Sequence, residues 1–245
     1  MTNRFFFRAI LVLFHPIRVF KHLFSKQQDY SRIQLSELQK YLVAPKVIIE
    51  AGAADGIDTS EFLTSFPEAK IFAVEPVNQQ FVYLREKFLD QENIELFNIA
   101  FSEENGVGEL NIGADVGQFG GMGSSSMLEP MKHQMYFPSI SFKRKQLITI
   151  KTLETFMIEN QIERVDLLWL DIQGKELDVL KASERALVEK IKLLHIEISR
   201  VALYKGMPKE REIRKFLKDL GFICVVDKVG AISGNALYLN NRFTN

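Results

Sequence analysis

The chain has 245 residues, of which 47% are hydrophobic and 25% are charged. This composition is that of a folded domain and excludes a disordered or collagen-like chain. The 31 basic and 31 acidic side chains balance, so net charge gives no indication of a nucleic-acid partner.

Residues 1–28 form a basic and strongly apolar segment, which we predict to be an amphipathic helix ahead of a domain over residues 29–245. Charges interrupt its apolar run too often for a membrane-spanning helix. Drawn as a helix, the segment has a basic stripe along an apolar rod, and such a helix can make peripheral membrane contact through residues 4–26. The alternative is that the helix packs on the chain's own core, or on a second copy of the chain in a homo-oligomer.

From residue 46 onward, short β-branched runs alternate with amphipathic helical patterns, which predicts an α/β fold with a parallel sheet. A glycine-rich stretch over residues 102–150 breaks this rhythm and predicts a loop and hairpin inserted between the third and fourth strands. The predicted strands are residues 47–50, 71–75, 94–98, 165–171, 193–198, 222–227 and 236–240. The predicted helices are residues 59–66, 78–90, 152–160, 175–187 and 208–220, the last ending at Gly221.

The first strand runs into Glu50-Ala-Gly-Ala-Ala-Asp-Gly56, whose small residues allow a ligand to approach the backbone. The pattern is neither the phosphate-binding loop nor the dinucleotide fingerprint. Acids at Glu50 and Asp55 would repel a pyrophosphate, and they suit a ligand that carries an ammonium or sulfonium group.

Two further strands end in polar residues. Glu75-Pro76 closes the second strand, and a carboxylate there can accept hydrogen bonds from both hydroxyls of a ribose. The third strand ends at Asn98, which with its neighbours could contact an adenine. For each position, the alternative is a strand end without a ligand.

The fourth strand is apolar on both faces and stops at Asp171-Ile-Gln173-Gly. An unpaired carboxylate at the end of a central strand is costly, which favours a functional role for Asp171. Cys224, the single cysteine, cannot form an internal disulfide and is most simply a small buried side chain in a reducing, cytoplasmic setting. No Cys/His cluster has the spacing of a metal site.

These segments together resemble the FkbM-like family of class I S-adenosylmethionine-dependent methyltransferases, over about residues 46–240. The match includes Glu50 to Gly56 followed by Thr59, Val74-Glu-Pro76, Asn98-Ile-Ala-Phe-Ser102, Ser124-Ser-Ser126, Thr152-Leu-Glu-Thr-Phe156, Asp166 to Gly174, and His195-Ile-Glu-Ile198. The resemblance implies a doubly wound, mostly parallel sheet of seven strands with the last strand antiparallel, S-adenosylmethionine as cofactor, and methylation of a hydroxyl on a sugar or other small molecule.

The resemblance also assigns site residues. Residues for the cofactor are Glu50, Gly52, Ala53, Asp55 and Thr59 at the first loop, Glu75 and Pro76 at the ribose, and Asn98 and Ala100 beside the adenine; Asp171 stands at the methyl end. The family usually has Asp and Asn at positions 50 and 55, a conservative difference. It usually has Glu at position 173, where Gln173 puts an acid–base role at that position in doubt.

A hydroxyl acceptor needs a base, and Asp171 is the first choice. His133, in the glycine-rich insertion, is the second candidate; His195 is better interpreted as a structural imidazole. In the insertion, Ser125 and Ser126 are expected to approach the cofactor or the acceptor, and Gln173 to face the acceptor. The competing functions are a non-catalytic scaffold that retains a nucleoside pocket and a nicotinamide-dependent oxidoreductase, which would require the missing dinucleotide fingerprint.

The basic N-terminal segment generates a prediction of its own. Anionic vesicles should retain the full chain and release a chain that begins at residue 29, because the cations and the apolar face of residues 4–26 are then missing. Sedimentation of both proteins with the vesicles measures this, and equal retention would remove the membrane hypothesis.

Overall fold

The computed structural model describes residues 31–114 and 121–244. The strands are β1 Val47–Ala51, β2 Lys70–Val74, β3 Ile94–Phe97, β4 Ala100–Phe101, β5 Gly106–Ala114, β6 Ser141–Lys151, β7 Val165–Leu170, β8 Ile191–Ser199, β9 Phe222–Asp227 and β10 Ser233–Asn240. The helices are α1 Leu35–Leu38, α2 Ile57–Ser65, α3 Asn78–Lys87, α4 His133–Tyr136, α5 Leu153–Glu159, α6 Glu176–Ala182, α7 Glu184–Lys190 and α8 Glu210–Asp219, with 3₁₀ turns at Met122–Ser124 and Asn241–Phe243.

The main sheet has seven strands in the order β3-β2-β1-β7-β8-β10-β9. All neighbours are parallel except β10, which runs antiparallel to both β8 and β9. The chain therefore adds β2 and β3 on one side of β1 and then crosses over to add β7 on the other side. This reversal places a switch point at the carboxyl ends of β1 and β7, where open α/β sheets bind their ligands. The predicted seven-stranded, mostly parallel, doubly wound sheet is confirmed.

Helices cover both faces of this sheet because its central strands are apolar on both sides. On one face, Phe62 of α2 and Leu84 of α3 pack on Ile48 and Trp169. The opposite face packs against α5 to α8, with Phe156 at the centre of a cluster of phenylalanine rings. The two cores hold the strand ends in fixed positions.

Strand register brings several polar residues to one edge of the sheet. Across the sheet, Glu50 is level with Trp169, and Trp169 with His195. Two residues further on, side chains point to the same face again, since the period of a strand is two. That next row consists of Glu75, Gly52, Asp171, Glu197 and Asn235, just beyond the carboxyl ends of β2, β1 and β7 and within β8 and β10.

The glycine-rich insertion forms a second sheet in the order β4-β6-β5, in which β5 and β6 make a long antiparallel hairpin. Leu110, Ile112, Ile148 and Ile150 of this hairpin pack with Met122 and Val77 in a third apolar cluster. The predicted hairpin is confirmed, and it is attached firmly to the carboxyl edge of the main sheet. The short helix α4 within it was not predicted.

Two sequence predictions need correction, and two short elements were missed. The helix predicted over residues 175–187 is two helices, α6 and α7, separated at Ser183, whose φ of −126° is not helical. The segments α1 and β4 were not predicted at all. Cys224 is exposed rather than buried, because β9 is an edge strand. The predicted cap of α8 is confirmed, with Gly221 at a φ of +86°.

The predicted helix over residues 1–28 lies outside the described residues, and its role stays a prediction. Each helix in the described part of the chain is too short or too polar to span a bilayer.

Gly52 offers a test of the switch point. Its φ is +92°, and a Cβ at this position would lie 2.0 Å from the carbonyl oxygen of Asp171. We expect Gly52→Ala to lower the free energy of unfolding by about 2 to 4 kcal/mol, because it combines backbone strain with a main-chain clash. Urea denaturation measures the change.

Gly206 is the matched control, since its φ is +80° but an added Cβ would meet nothing within 4 Å. Gly206→Ala should cost only about 1 kcal/mol from backbone strain. Equal losses for the two variants would show that the contact between β1 and β7 does not constrain position 52.

Candidate active site

A cavity of about 460 Å³, which we call the first lobe, opens at the switch point. It lies over the ends of β1, β2 and β7 and under the insertion. Its volume is within the range of small-molecule sites. Its lining includes Gly52, Ala53, Ala54, Asp55, Glu75, Pro76, Val77, Gln80, Ala100, Phe101, Met122, Ser125, Asp171 and Gln173, and also Arg32, Trp169, Lys175, His195 and Asn235.

The Glu75 side chain, directly after the end of β2, is held by two backbone hydrogen bonds. Its Oε2 accepts from the Ala54 N–H at 2.8 Å and its Oε1 from the Val77 N–H at 2.7 Å. Burial, opposed by these two bonds and assisted by the charge of Asp171, raises the pKa of Glu75 to about 7. Each carboxylate oxygen keeps a second lone pair, so Glu75 can still accept two hydrogen bonds from a ligand.

The loop after β1 curves around this carboxylate. Gly52 and Ala53 both donate to the carbonyl oxygen of Val74, at 2.9 and 3.1 Å. Ala54 adopts a φ of +49°, and Asp55 Oδ1 accepts from the Ile57 N–H at the start of α2. The backbone therefore passes close to the cavity with small side chains, as the sequence predicts.

Glu50 and Thr59 lie under this loop rather than in the lining. The Thr59 hydroxyl donates to Glu50 Oε2 at 2.5 Å, and both side chains are buried between β1 and α2. Burial raises the pKa of Glu50 to about 8. The pair thus supports the start of α2 beneath the loop.

Asn98 also acts on the backbone in this structure. Its Nδ2 donates to the carbonyl oxygens of Glu75 and Pro76, at 2.9 and 3.2 Å. Asn98 thereby fixes the turn that carries Glu75, while Ala100 and Phe101 form the wall of the lobe.

A second lobe of about 620 Å³ adjoins the first, and Asp171 and Gln173 line both, together with Arg32, Ile57, Gly123 and Asn235. His133, Phe137, Glu197, Leu203 and Ser233 line its far side. Asp171 and Gln173 therefore stand at the junction of two spaces, one beside Glu75 and one under the insertion. A junction of this kind suits the transfer of a group between two bound molecules.

The two predicted serines differ in position. Ser125 lines the first lobe, and its Oγ accepts from the Gly113 N–H at 3.0 Å. Ser126 is buried, and its hydroxyl donates to the carbonyl oxygen of Gln173 at 2.7 Å. Ser126 thus ties the insertion to the Gln173 loop.

His133 lines the second lobe with its ring packed against Phe137, Phe142 and Tyr204. Burial lowers the pKa of His133 to about 4, so the ring is neutral near neutral pH. His195 is stacked on Trp169 at a centroid distance of 3.3 Å, and burial lowers its pKa to about 3. Neither ring nitrogen of His195 has a hydrogen-bond partner among the described residues.

The Gln173 loop is held by acids and an aromatic hydroxyl. Glu176 accepts from the N–H groups of Ile172 and Gly174, and burial raises its pKa to about 7. The Tyr204 hydroxyl donates to the Ser124 carbonyl oxygen at 2.6 Å and lies 3.1 Å from Gln173 Oε1. The Ser124 carbonyl oxygen and Gln173 Oε1 thus compete for the single Tyr204 proton, and Gln173 Nε2 points toward Asp171 and Glu197.

The residues that sequence reasoning did not assign include Arg32, Gln80 and Glu197 of the lining, and Tyr204, whose hydroxyl contacts Gln173. Glu197 lies within the segment His195-Ile-Glu-Ile198, and its place two residues after His195 on a strand is the signal that could have found it. Arg32 comes from the segment before β1 and is bonded to Asp58 at 2.6 Å, which no spacing rule predicts. The buried Oε1 of Gln80 lacks a hydrogen-bond partner in the described part of the chain.

The seven-stranded sheet with an antiparallel last strand, together with a cleft lined by acids at its switch point, defines a Rossmann-like class I methyltransferase fold. Comparison with known proteins gives the family. The model of the methyltransferase FkbM domain matches residues 50–224. The chain belongs to this family.

A curated relative is the 2-O-methyltransferase NoeI of Sinorhizobium fredii, which is 26% identical over 197 residues, or 80% of each chain. Solved structures with a similar fold include Aeropyrum pernix fibrillarin in complex with S-adenosylmethionine, at 14% identity and a TM-score of 0.47, covering 87% of this chain and 76% of that one. A putative methyltransferase from Streptococcus mutans in complex with SAH is 15% identical, with a TM-score of 0.43 and coverage of 83% and 93%. These are similarities of chain fold, and no functional statement follows from them.

Family membership makes this chain an S-adenosylmethionine-dependent methyltransferase, with S-adenosylmethionine as its cofactor. The described residues fit this ligand. The first lobe offers a carboxylate with free lone pairs at Glu75, an apolar wall at Phe101, and an acidic surround for a sulfonium cation.

The raised pKa of Glu50 predicts how stability depends on pH. The folded protein keeps the Glu50 proton up to about pH 8, whereas the unfolded chain loses it near 4.5. The folded state therefore binds more protons in this window, and its free energy of unfolding falls as pH rises, by up to about 1.4 kcal/mol per pH unit.

Glu50→Gln removes this titration and should make the free energy of unfolding decline less between pH 4.5 and 8. Urea denaturation at several pH values measures the slope. The matched control is Glu109→Gln, an exposed acid on β5 paired with Lys145, which should leave the slope unchanged. A wild-type slope in Glu50→Gln would contradict the buried, protonated carboxyl.

Proposed function

We propose that this protein transfers the methyl group of S-adenosylmethionine to a hydroxyl oxygen of an uncharged small molecule, with a sugar as the favoured acceptor. The observation that carries the proposal is the junction of the two lobes at Asp171 and Gln173. The name of the relative, a 2-O-methyltransferase, agrees with an oxygen acceptor.

The first lobe would hold the cofactor. Glu75 would accept hydrogen bonds from both ribose hydroxyls, with the loop of Gly52, Ala53 and Asp55 along the methionine portion. Arg32 and Lys175 are the cationic side chains that line this lobe. Lys175 already bonds to Glu103 and Asp178, so we assign the methionine carboxylate to Arg32. Arg32 would then give up part of its bonding to Asp58 and Glu61 in order to bind that carboxylate.

The second lobe would hold the acceptor. Of the described lysine and arginine side chains, Arg32 alone lines this lobe, and it already bonds to Asp58 and Glu61. Asp171 and Glu197 add acidity, which disfavours a phosphate or carboxylate on the acceptor. The rings of His133 and Phe137 offer flat apolar surfaces suited to the C–H face of a sugar.

S-adenosylmethionine supplies a methyl group on a sulfonium sulfur, which an aligned oxygen can take in an in-line displacement. The protein's task is to orient the hydroxyl, exclude water and accept a proton. Asp171 is the base in this proposal because it faces both lobes, whereas the His133 ring is surrounded by aromatic side chains. The scaffold alternative would leave this acid without a role.

Calorimetric titration with S-adenosylmethionine tests the cofactor site. We expect wild-type binding and a loss of affinity on the order of 100-fold in Glu75→Ala, since two hydrogen bonds to a charged group disappear. The matched control is Glu95→Gln, an acid at the surface of β3 that pairs with Lys70. A wild-type protein that does not bind the cofactor would overturn the proposal.

Transfer of a labelled methyl group to a panel of methyl glycosides and free sugars tests the reaction. Asp171→Asn should lower kcat about 10²- to 10⁴-fold, the usual contribution of a general base. Its affinity for S-adenosylmethionine should change less than about tenfold, because the ribose contacts remain. Unaltered turnover in Asp171→Asn would remove this residue from the chemistry.

A further inference from the structure

Gln173 Nε2 donates to two different carboxyl groups. It lies 2.8 Å from Asp171 Oδ1 and 3.1 Å from Glu197 Oε2. All three side chains are half-buried and line the second lobe. One amide thus holds two carboxyl groups beside each other in the lining of the second lobe.

The Gln at position 173 matters to this arrangement. A glutamate at this position would have no N–H and, when ionised, could not donate to either carboxylate. The amide supplies those hydrogen bonds and removes one negative charge from the cluster. Gln173 Oε1 faces the Tyr204 hydroxyl, at 3.1 Å.

Asp171 and Glu197 accept hydrogen bonds from the same nitrogen, so the two carboxyl groups are close neighbours. Two ionised carboxylates this close repel each other, which favours a proton on one of them. Burial raises the pKa of both Asp171 and Glu197, and the negative charges of Asp171 and Glu176 add to the rise at Glu197. The groups facing the pair are Arg32 before α1, Asp58 of α2, Glu176 of α6, His133 of α4, His195 of β8, Tyr204 after β8 and Ser233 of β10.

We infer that Asp171 and Glu197 share one proton and together bind an acceptor with two neighbouring hydroxyl groups. When the acceptor binds, the ionised Asp171 accepts a hydrogen bond from the hydroxyl to be methylated, and Glu197 turns its proton from Asp171 to the adjacent hydroxyl oxygen. This inference rests on the proposed function, since it concerns the acceptor of that same site. It adds Glu197 as a binding residue and specifies the acceptor as a vicinal diol, such as the edge of a pyranose ring.

In the transfer step, a lone pair of the acceptor oxygen forms the new O–C bond while the C–S bond breaks. The electron pair of the C–S bond stays on sulfur, which becomes a neutral thioether. The hydroxyl proton passes to the Asp171 carboxylate. The pair then holds two protons, and one leaves to solvent before the next turnover. No oxidant, reductant or metal is required.

The titration of the pair tests the shared proton. In the full chain with ¹³C-labelled Asp and Glu carboxyl groups, NMR follows each carboxyl as a function of pH, and Glu197→Gln assigns the Glu197 signal. We expect Glu197 to lose its proton well above the usual range. In Asp171→Asn its midpoint should fall by about one pH unit or more, because the pair's coupling is gone. Glu109→Gln is the control that should leave the midpoint in place.

The acceptor class is tested with minimal probes. With S-adenosylhomocysteine bound, cis-cyclohexane-1,2-diol should shift the Glu197 carboxyl signal in a saturable manner, and cyclohexanol should not. Equal shifts from both alcohols, or none from the diol, would overturn the diol inference. A Glu197 midpoint that is unaltered in Asp171→Asn would overturn the shared proton.

Calorimetry separates these failures from failure of the proposed function. A chain that binds S-adenosylhomocysteine but shows independent titration of Glu197 keeps the methyltransferase site and loses the inference alone. A chain that does not bind it loses both. Thermal unfolding of each variant confirms that the substitutions leave the protein folded.

Discussion

The site depends on one main-chain contact at the switch point. Asp171 donates its N–H to the Ala51 carbonyl oxygen at 3.1 Å, and Gly52 passes so close to Asp171 that a Cβ would overlap its carbonyl oxygen. This contact joins the loop after β1 to the end of β7. Since Gly52 also donates to Val74, the same few atoms fix the turn that carries Glu75. These main-chain contacts at the edge of the sheet therefore set the distance between the proposed ribose-binding acid and the proposed base.

The site concentrates several buried acids, and their burial costs free energy of folding. Burial raises the pKa values of Glu50, Glu75, Glu176 and Glu197, and each unit of such a shift is equivalent to about 1.4 kcal/mol. The fold lowers this cost with backbone N–H donors, with the Thr59 hydroxyl and with the Gln173 amide, and by retaining protons. A sulfonium ligand would relieve part of the remaining repulsion, which suits a protein that uses S-adenosylmethionine.

The insertion gives the general fold its second lobe. The hairpin of β5 and β6 has its own apolar cluster, and that cluster packs on Val77 at the turn after β2. From this base, Ser126 and the Ser124 carbonyl oxygen reach the Gln173 loop and Tyr204. The wall of the acceptor space is thus attached to the cofactor side of the sheet, so that both lobes form around one rigid edge.

The sequence by itself determined the strands, their parallel arrangement and the acids that follow them, because period-two apolar runs and strand-end residues are local patterns. Glu75 and Asp171 could be found from such patterns. The tertiary structure alone decided which polar side chains reach the cavity: it turned Asn98 to backbone carbonyls, placed Glu50 and Thr59 under the loop, and brought Arg32 and Glu197 into the lining. Side-chain direction at a strand end depends on the neighbouring strands and loops, and those contacts join residues distant in the chain.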